Sequence, residues 1–327
     1  MKHIKTLLKF SFAIGIIVYL IRSGRLDFSL ITKSFQSGWG WLICAGILFS
    51  IDCLSSFRWR WILKTNSQNP LPIKKVIGVT YIGLFFNSFL PGAVTGDLIK
   101  LVYAKDLDKS LSKTFLVTSV LIDRIFGLIG LLLVLSISSL IYYNELITLS
   151  PKMTNLIHFN LFLGLGAVGF LGTLFFPANL QKVLLDIFAK VPVLGSKIVK
   201  TLKEVWVIGS RKDVVAKAIL FSAIVQTLNI VAFYILTSPF YSHPIPLQYI
   251  LTFIPIGFVA VAIPISPAGL GVGHVIFDTL FNMVGIPGGA SFFNIYFVIR
   301  VCGNLLGIIP YLLSGRKHSL QETEEFA

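Results

Sequence analysis

The chain has 327 residues, of which 55% are hydrophobic and 13% charged, with a mean hydropathy of +0.84. A soluble domain carries about a quarter of its residues as charges, so this composition excludes a water-facing surface and implies a lipid-facing one. The formal net charge of +14 invites a nucleic-acid reading, but no nucleic-acid partner is expected. The basic residues stand in short clusters between apolar runs, as cytoplasmic loops do under the positive-inside rule, and do not form one basic face.

In chain order, the N-terminus MKHIKTLLKFSFAIGIIVYLI has a basic start and an apolar run. It lacks a small-x-small cleavage site and further spans follow, so it reads as a retained first helix. Spanning helices need roughly 20 apolar residues, and six are expected: Leu7–Ile21, Trp41–Phe57, Phe115–Tyr142, Asn160–Phe176, Val214–Leu236 and Phe292–Leu313. Cys44, Cys53 and Cys302 fall inside apolar runs without metal-type spacing and read as small packing residues.

Two further apolar stretches are interrupted. Val76–Leu90 runs into Pro91, Gly92 and then Gly96, and Leu247–Ile263 runs into Pro264, Pro267, Gly269, Gly271 and Gly273. Proline removes a backbone donor and glycine loosens the helix, so both segments are expected to break there.

The basic segments decide which side each break faces. Arg58–Lys75 carries Arg58, Arg60, Lys64, Lys74 and Lys75, and Pro177–Lys217 carries eight basic residues against Asp186, Glu204 and Asp213. Together with Lys2, Lys5 and Lys9 at the start and Arg316 and Lys317 at the end, both should be cytoplasmic. That holds only if each broken segment turns back as a re-entrant hairpin, at roughly 76–104 and 247–285, and it leaves Arg22, Arg25 and Lys33 outside against the rule. The expected fold is therefore an all-α polytopic membrane protein with both termini cytoplasmic. A single integral membrane domain (1–327) contains six spans and two re-entrant hairpins, eight apolar segments in an inverted repeat (about 4–143 and 157–313).

The two halves also resemble each other in sequence. Pro91–Leu98 resembles Pro267–Val275, and Arg124-Ile125-Phe126-Gly127 resembles Arg300-Val301-Cys302-Gly303. Twenty-seven positions separate Asp97 from Arg124, and twenty-six separate His274 from Arg300. The polar insertion 178–212 places Leu180, Val183, Leu184, Ile187 and Phe188 on one helical face and Ile198, Leu202, Val205 and Trp206 on another. It predicts two helices lying in the cytoplasmic interface, parted at Pro192.

Broken helices in inverted repeats put half-helix ends near mid-membrane, where transporters build binding sites and free N–H groups attract anions. Charges inside spans are costly and mark function. Arg124 and Arg300 are the foremost candidates, as a bidentate clamp on a phosphate, with helix-locking ion pairs as the alternative. No formal charge lies within fifteen residues of Arg300 along the chain, and Asp123 beside Arg124 points in another direction on the helix.

Asp97 follows the first tip, with Lys100 one turn on; His274 follows the second, with Asp278 at i+4. His274 suits either proton exchange or simple packing, and two ligands are too few for a metal site. Asn87 and Ser88 are placed to satisfy backbone groups freed at the first break. The substrate-binding set is thus Arg124, Arg300, Asp97, His274, Lys100, Pro91, Gly92, Gly96, Pro267, Gly269, Gly271 and Gly273. No catalytic residue, metal or cofactor is expected: no Walker loop, GxSxG elbow, HExxH helix or Rossmann fingerprint is present.

At these residues the chain resembles the flippase-like transmembrane region of lysylphosphatidylglycerol synthases and its stand-alone bacterial and archaeal relatives. The resemblance is carried by Asn87–Lys100 (NSFLPGAVTGDLIK), Asp123–Leu132 (DRIFGLIGLL) and Pro264–His274 (PISPAGLGVGH). In that family a Glu commonly follows each glycine tip. Here Asp97 is a conservative change and His274 is not, so a mechanism with two carboxylates is not implied.

The resemblance implies movement of a membrane lipid, an anionic phospholipid or a polyprenyl-linked headgroup, across the cytoplasmic membrane of a prokaryote. Only Ser314–Ala327 follow the last span, from which no lysyl transfer and no enzyme activity are expected. The alternative is an accessory membrane protein organising a lipid- or glycan-synthesis enzyme. An intramembrane enzyme would need a nucleophile or acid–base pair that the sequence does not present, and the oligomeric state is open.

Overall fold

A computed structural model describes residues 18, 22, 29–36, 38–89, 95–192, 194–241, 244–263 and 269–314. Apart from Val18, the expected first span Leu7–Ile21 lies outside the described residues, as do Pro91, Gly92, Pro267, Arg316 and Lys317.

The described residues form α-helices joined by turns and short 3-10 segments, with no strand among them. In chain order the helices are α1 (Ser29–Gln36), α2 (Gly40–Leu63), α3 (Ile73–Phe89), α4 (Thr95–Leu107), α5 (Lys113–Ile141), α6 (Tyr143–Ile147) and α7 (Pro151–Thr173). Then come α8 (Ala178–Ala189), α9 (Gly195–Ser210), α10 (Lys212–Thr237), α11 (Leu247–Ala262), α12 (Val272–Asn282), α13 (Gly289–Asn304) and α14 (Ile308–Leu313). Among the described residues, five stretches are long and apolar enough to cross a membrane: α2, α5, α7, α10 and the run from α13 through α14. They overlap the five expected spans that lie within the described residues, though α7 begins at Pro151 rather than Asn160 and α2 runs on to Leu63 rather than ending at Phe57. At 1.5 Å per residue, the 24 residues of α2 reach about 36 Å, against a hydrocarbon core of about 30 Å.

Two of the long helices, α5 and α7, start where the sequence supplies a serine cap. Ser112 Oγ accepts from the Phe115 N–H at 3.0 Å to open α5. Ser150 Oγ accepts from the Met153 N–H at 3.1 Å, with Pro151 in the first turn, to open α7. Large apolar side chains face outward along these helices, among them Ile137, Leu140, Phe162, Leu165 and Leu220. Exposure on this scale suits a lipid solvent and no other. The chain is a multi-pass, all-α membrane protein.

Both Pro/Gly segments break into two short helices. α3 and α4, of 17 and 13 residues, pack against each other, and so do α11 and α12, of 16 and 11 residues. A 13-residue helix reaches about 20 Å, too little to cross. The pairs span 73–107 and 247–282, slightly wider in the first case and narrower in the second than expected. At the second break the chain turns through Gly269 (φ +76°) and Gly271 (φ +82°), a backbone region disfavoured for other residues.

The element order long, short pair, long occurs twice, as α2, α3–α4, α5 and as α10, α11–α12 and the run from α13 through α14. The equivalent helices α2 and α10 pack on each other at the centre; α5 leans on α11, and α13 with α14 leans on α3. One apolar core gathers Trp59, Ile62, Phe115 and Phe126 from the first half, and another gathers Phe233, Phe253, Phe277 and Phe281 from the second.

The insertion 178–212 forms α8 and α9, separated at residues 190–194. The Trp206 indole donates to the Thr173 carbonyl at 3.1 Å and fastens α9 to the end of α7. α8 buries none of its residues, and Leu180, Val183 and Ile187 stay exposed.

One expectation is corrected here. Arg58 does not belong to a cytoplasmic basic loop: α2 continues through Leu63 and Arg58 is buried within it, 5% exposed. A charge is tolerated there because its partners are buried with it, as the site geometry shows.

Candidate functional site: a charged cavity between the two broken helices

A cavity of about 400 Å³ opens where the end of α3, the turn after α11 and the long helices α5, α10 and α13 converge. Its polar wall includes Arg124, Arg300, Gln226, Asn229, Asn87 and Asn304; Phe258, Phe293 and Phe297 form the apolar wall, and Gly269 stands at the second tip.

The two arginines are held differently. Arg300 on α13 makes a fork-to-fork pair with Asp52 on α2, Nη2 to Oδ1 at 2.7 Å and Nη1 to Oδ2 at 3.1 Å. The long apolar flanks of Arg300 therefore concealed a counter-ion that arrives from another helix. The Asp52 side chain is 5% exposed and that of Arg300 26%, so the pair lies in the wall with one guanidinium edge toward the cavity. Arg124 on α5 pairs with Asp97 at the start of α4, and its side chain is 47% exposed. Its chain neighbour Asp123 points away and accepts from Arg58 Nε at 2.7 Å. Arg58 Nη1 also donates to Ser222 Oγ on α10 at 2.8 Å. Three arginine–aspartate pairs thus tie α2, α4, α5 and α13 together around one opening.

Local chemistry positions the first tip. The Gly96 N–H donates to Asn87 Oδ1 at 2.9 Å, and Asn87 Nδ2 donates to Asp97 Oδ1 at 3.3 Å, so one amide satisfies the open end of α4 and orients its acid. Ser88 Oγ donates to the Leu84 carbonyl and accepts from Asn304 Nδ2 at 2.8 Å. These are the backbone-satisfying roles expected of Asn87 and Ser88. Asn304 Oδ1 is buried with no hydrogen-bond partner among the described residues. Deeper in, Tyr296 Oη donates to Asn229 Oδ1 at 2.8 Å and Gln226 Nε2 to the Gly127 carbonyl at 3.1 Å.

Of the other candidates, Gly269 lines the cavity, while Lys100, His274, Gly96, Gly271 and Gly273 lie behind its wall. Gly96 packs backbone to backbone against Gly83. Lys100 is 7% exposed, its ammonium 3.6 Å from the centre of the Trp59 ring. His274 is fully buried; its Nδ1 accepts from the Gly271 N–H at 3.3 Å and its Nε2 faces Asn294 Oδ1 at 3.2 Å. Nδ1 as acceptor leaves the proton on Nε2, so the imidazole is neutral and caps α12 at its first turn. Gly273 gives its room to the Phe293 ring.

Asp52, Arg58, Gln226 and Asn229 were missed as site residues. Each had a sequence signal, a polar or charged group inside an apolar span. The described residues hold no group of three or more His, Cys, Asp or Glu fit to hold a metal.

The fold and this cavity define a polytopic helical membrane protein with charged groups held between two broken helices. The chain belongs to the family described as the lysylphosphatidylglycerol synthase TM region, whose model matches residues 6–310. A relative from Pyrococcus horikoshii, UPF0104 membrane protein PH1989, is 26% identical over 271 residues, covering 75% of this chain and 77% of that protein. No solved structure matches.

Proposed function

We propose that the chain is a lipid flippase or flippase-like transporter that moves an anionic phospholipid or lipid-linked headgroup across the cytoplasmic membrane of a prokaryote. The observation that carries this reading is the cavity: Arg124 and Arg300 reach one wall, three phenylalanines another, and the ends of both broken helices meet there. A headgroup phosphate needs cationic donors in a place otherwise closed to charge, and a lipid needs an apolar flank beside them. Membership in a family named for the membrane region of a lipid-modifying synthase supports a lipid-related role.

The exposed apolar face of α8 beside Lys182 and Lys190 supports the second reading, an accessory protein that docks a lipid- or glycan-synthesis enzyme at the membrane surface. The two readings part at the cavity, which docking does not need.

The test is movement of labelled anionic phospholipid by the purified chain in vesicles. Arg124→Gln should fold and lose most of the movement. Arg124→Lys should recover part of it, because it keeps the charge and loses the planar fork. Arg300→Gln alone strands Asp52 in the core, a loss of about 3–5 kcal/mol. The double change Asp52→Asn with Arg300→Gln removes both charges and should restore folding without restoring movement. A folded double variant that moves lipid at the wild-type rate sinks the reading.

A further inference from the structure

Away from the cavity, an exposed apolar strip stands where three spans end. α9 is tied to all three. Its Trp206 holds Thr173, the last residue of α7, and Ser112 Oγ at the start of α5 donates to Glu204 Oε1 at 3.4 Å. α10 begins just after α9, at Lys212. α8 folds back on α9 at Gly195, where a Cβ would lie 2.5 Å from the Phe188 carbonyl oxygen. The hairpin is therefore fixed at the level where these spans leave the apolar layer. α8 is its outer arm. Leu180, Val183 and Ile187 recur at helical spacing, and Val183 and Ile187 are 52% and 54% exposed. Val191 and Leu194 carry the exposed strip through the turn. In the chain before α8, exposed Phe175 continues it toward the lipid-facing Phe162, Leu165 and Val168 of α7. On α9, Lys197, Lys200 and Lys203 stand three residues apart and are all exposed, as are Lys182 and Lys190 on and beside α8. The acids of the two helices are Asp186 and Glu204, and Glu204 is turned to Ser112.

Water is a poor solvent for such a strip, and the boundary between headgroups and acyl chains is a good one. The lysines are well solvated in either place and gain only where the surface carries the opposite charge. We propose that the α8–α9 hairpin is a membrane-surface anchor selective for anionic phospholipid, with the apolar strip seated at the acyl boundary and the lysines on lipid phosphates. Two observations favour lipid over a protein on this face: the strip continues the lipid-facing side of α7, and the charge beside it is basic. With the orientation expected from the basic loops, the leaflet is the cytoplasmic one. The anchor requires no transport, and it occupies the face on which the accessory reading relies. Each lysine near an anionic surface is worth about fivefold in binding, and salt screens that gain.

The experiment places the full chain in nanodiscs of phosphatidylcholine alone or of phosphatidylcholine mixed with phosphatidylglycerol. Amide hydrogen exchange is read across α8 and α9, with α5 as the internal reference. Exchange in α8 should be at least about fivefold slower in the mixed discs, and high salt should reverse the gain. Changing Lys197, Lys200 and Lys203 together to Gln should abolish the dependence on phosphatidylglycerol. The melting temperature should hold, because all three side chains are exposed. Val183→Ser with Ile187→Ser should speed exchange of α8 in both kinds of disc. Equal exchange of the wild-type α8 in the two discs overturns the anionic preference, and so does a triple variant that keeps the full dependence. Fast exchange of α8 in both discs, or protection that appears only with two copies of the chain per disc, gives the face to a protein and overturns the membrane assignment.

Discussion

Asp108, in the turn between α4 and α5, shows how much one side chain carries at the membrane edge. It is buried, and six donors converge on it: Ser67 Oγ at 2.6 Å, the Gln68 and Asn69 N–H groups, Asn69 Nδ2 at 2.8 Å, and the N–H and Oγ of Ser110. The carboxylate staples the loop after α2 to the loop before α5. Burial by itself pushes its carboxyl up, but the hydrogen bonds from Ser110, Ser67 and Asn69 outweigh burial and hold it well below the usual carboxylate range. A group depressed in the folded state stabilises fully above its unfolded value, near 3.9, and loses that contribution as pH falls toward the folded value. Asp108→Asn should therefore cost about 2 kcal/mol at pH 7. The gap between the two melting curves in detergent should stay constant from pH 7 to about 5 and shrink only below about 4. A gap that closes between pH 6 and 7 would assign the staple to another group.

At the scale of elements, the first hairpin depends on how closely its two arms approach. A Cβ on Gly96 would lie 2.1 Å from the Gly83 carbonyl oxygen and 2.5 Å from the Asn87 nitrogen, both backbone atoms that cannot step aside. Gly96→Ala should push α4 off α3, cost about 1–3 kcal/mol, and slacken the pairing of Asp97 with Arg124. Gly166→Ala on α7 meets nothing within 4 Å and should leave the melting temperature within about a degree or two. Equal losses at the two positions would mean that hairpin contact is not what Gly96 supplies. Breakage of both Pro/Gly segments was legible because proline and glycine act through the backbone of their own segment. That Gly96 rather than Gly92 makes a described close contact was not legible, because the contact depends on the position of Gly83 in the partner arm.

For the whole molecule, the repeated order of long helix, short pair and long helix becomes an inverted repeat if each short pair returns to the side it entered. We propose that orientation, with both termini cytoplasmic. Single cysteines introduced near Asp108 and Asn144 would test it with an impermeant thiol reagent: Asp108 should be reached from inside and Asn144 from outside, and the opposite result at either site removes the inversion. The sequence by itself determined that the chain is an all-α membrane protein, roughly where the five spans within the described residues lie, and that Arg124 and Arg300 stand on the helices after the two breaks. Span length, apolar run and proline position are local properties that any neighbouring fold must accept. Only the tertiary structure decided which carboxylate each arginine meets: Asp52 reaches Arg300 across 248 positions of chain, and Asp123 turns from its neighbour Arg124 to Arg58. It also placed His274 and Lys100 behind the wall rather than on it. A buried charge is satisfied by whatever the packing brings within hydrogen-bond reach, and sequence distance puts no limit on that.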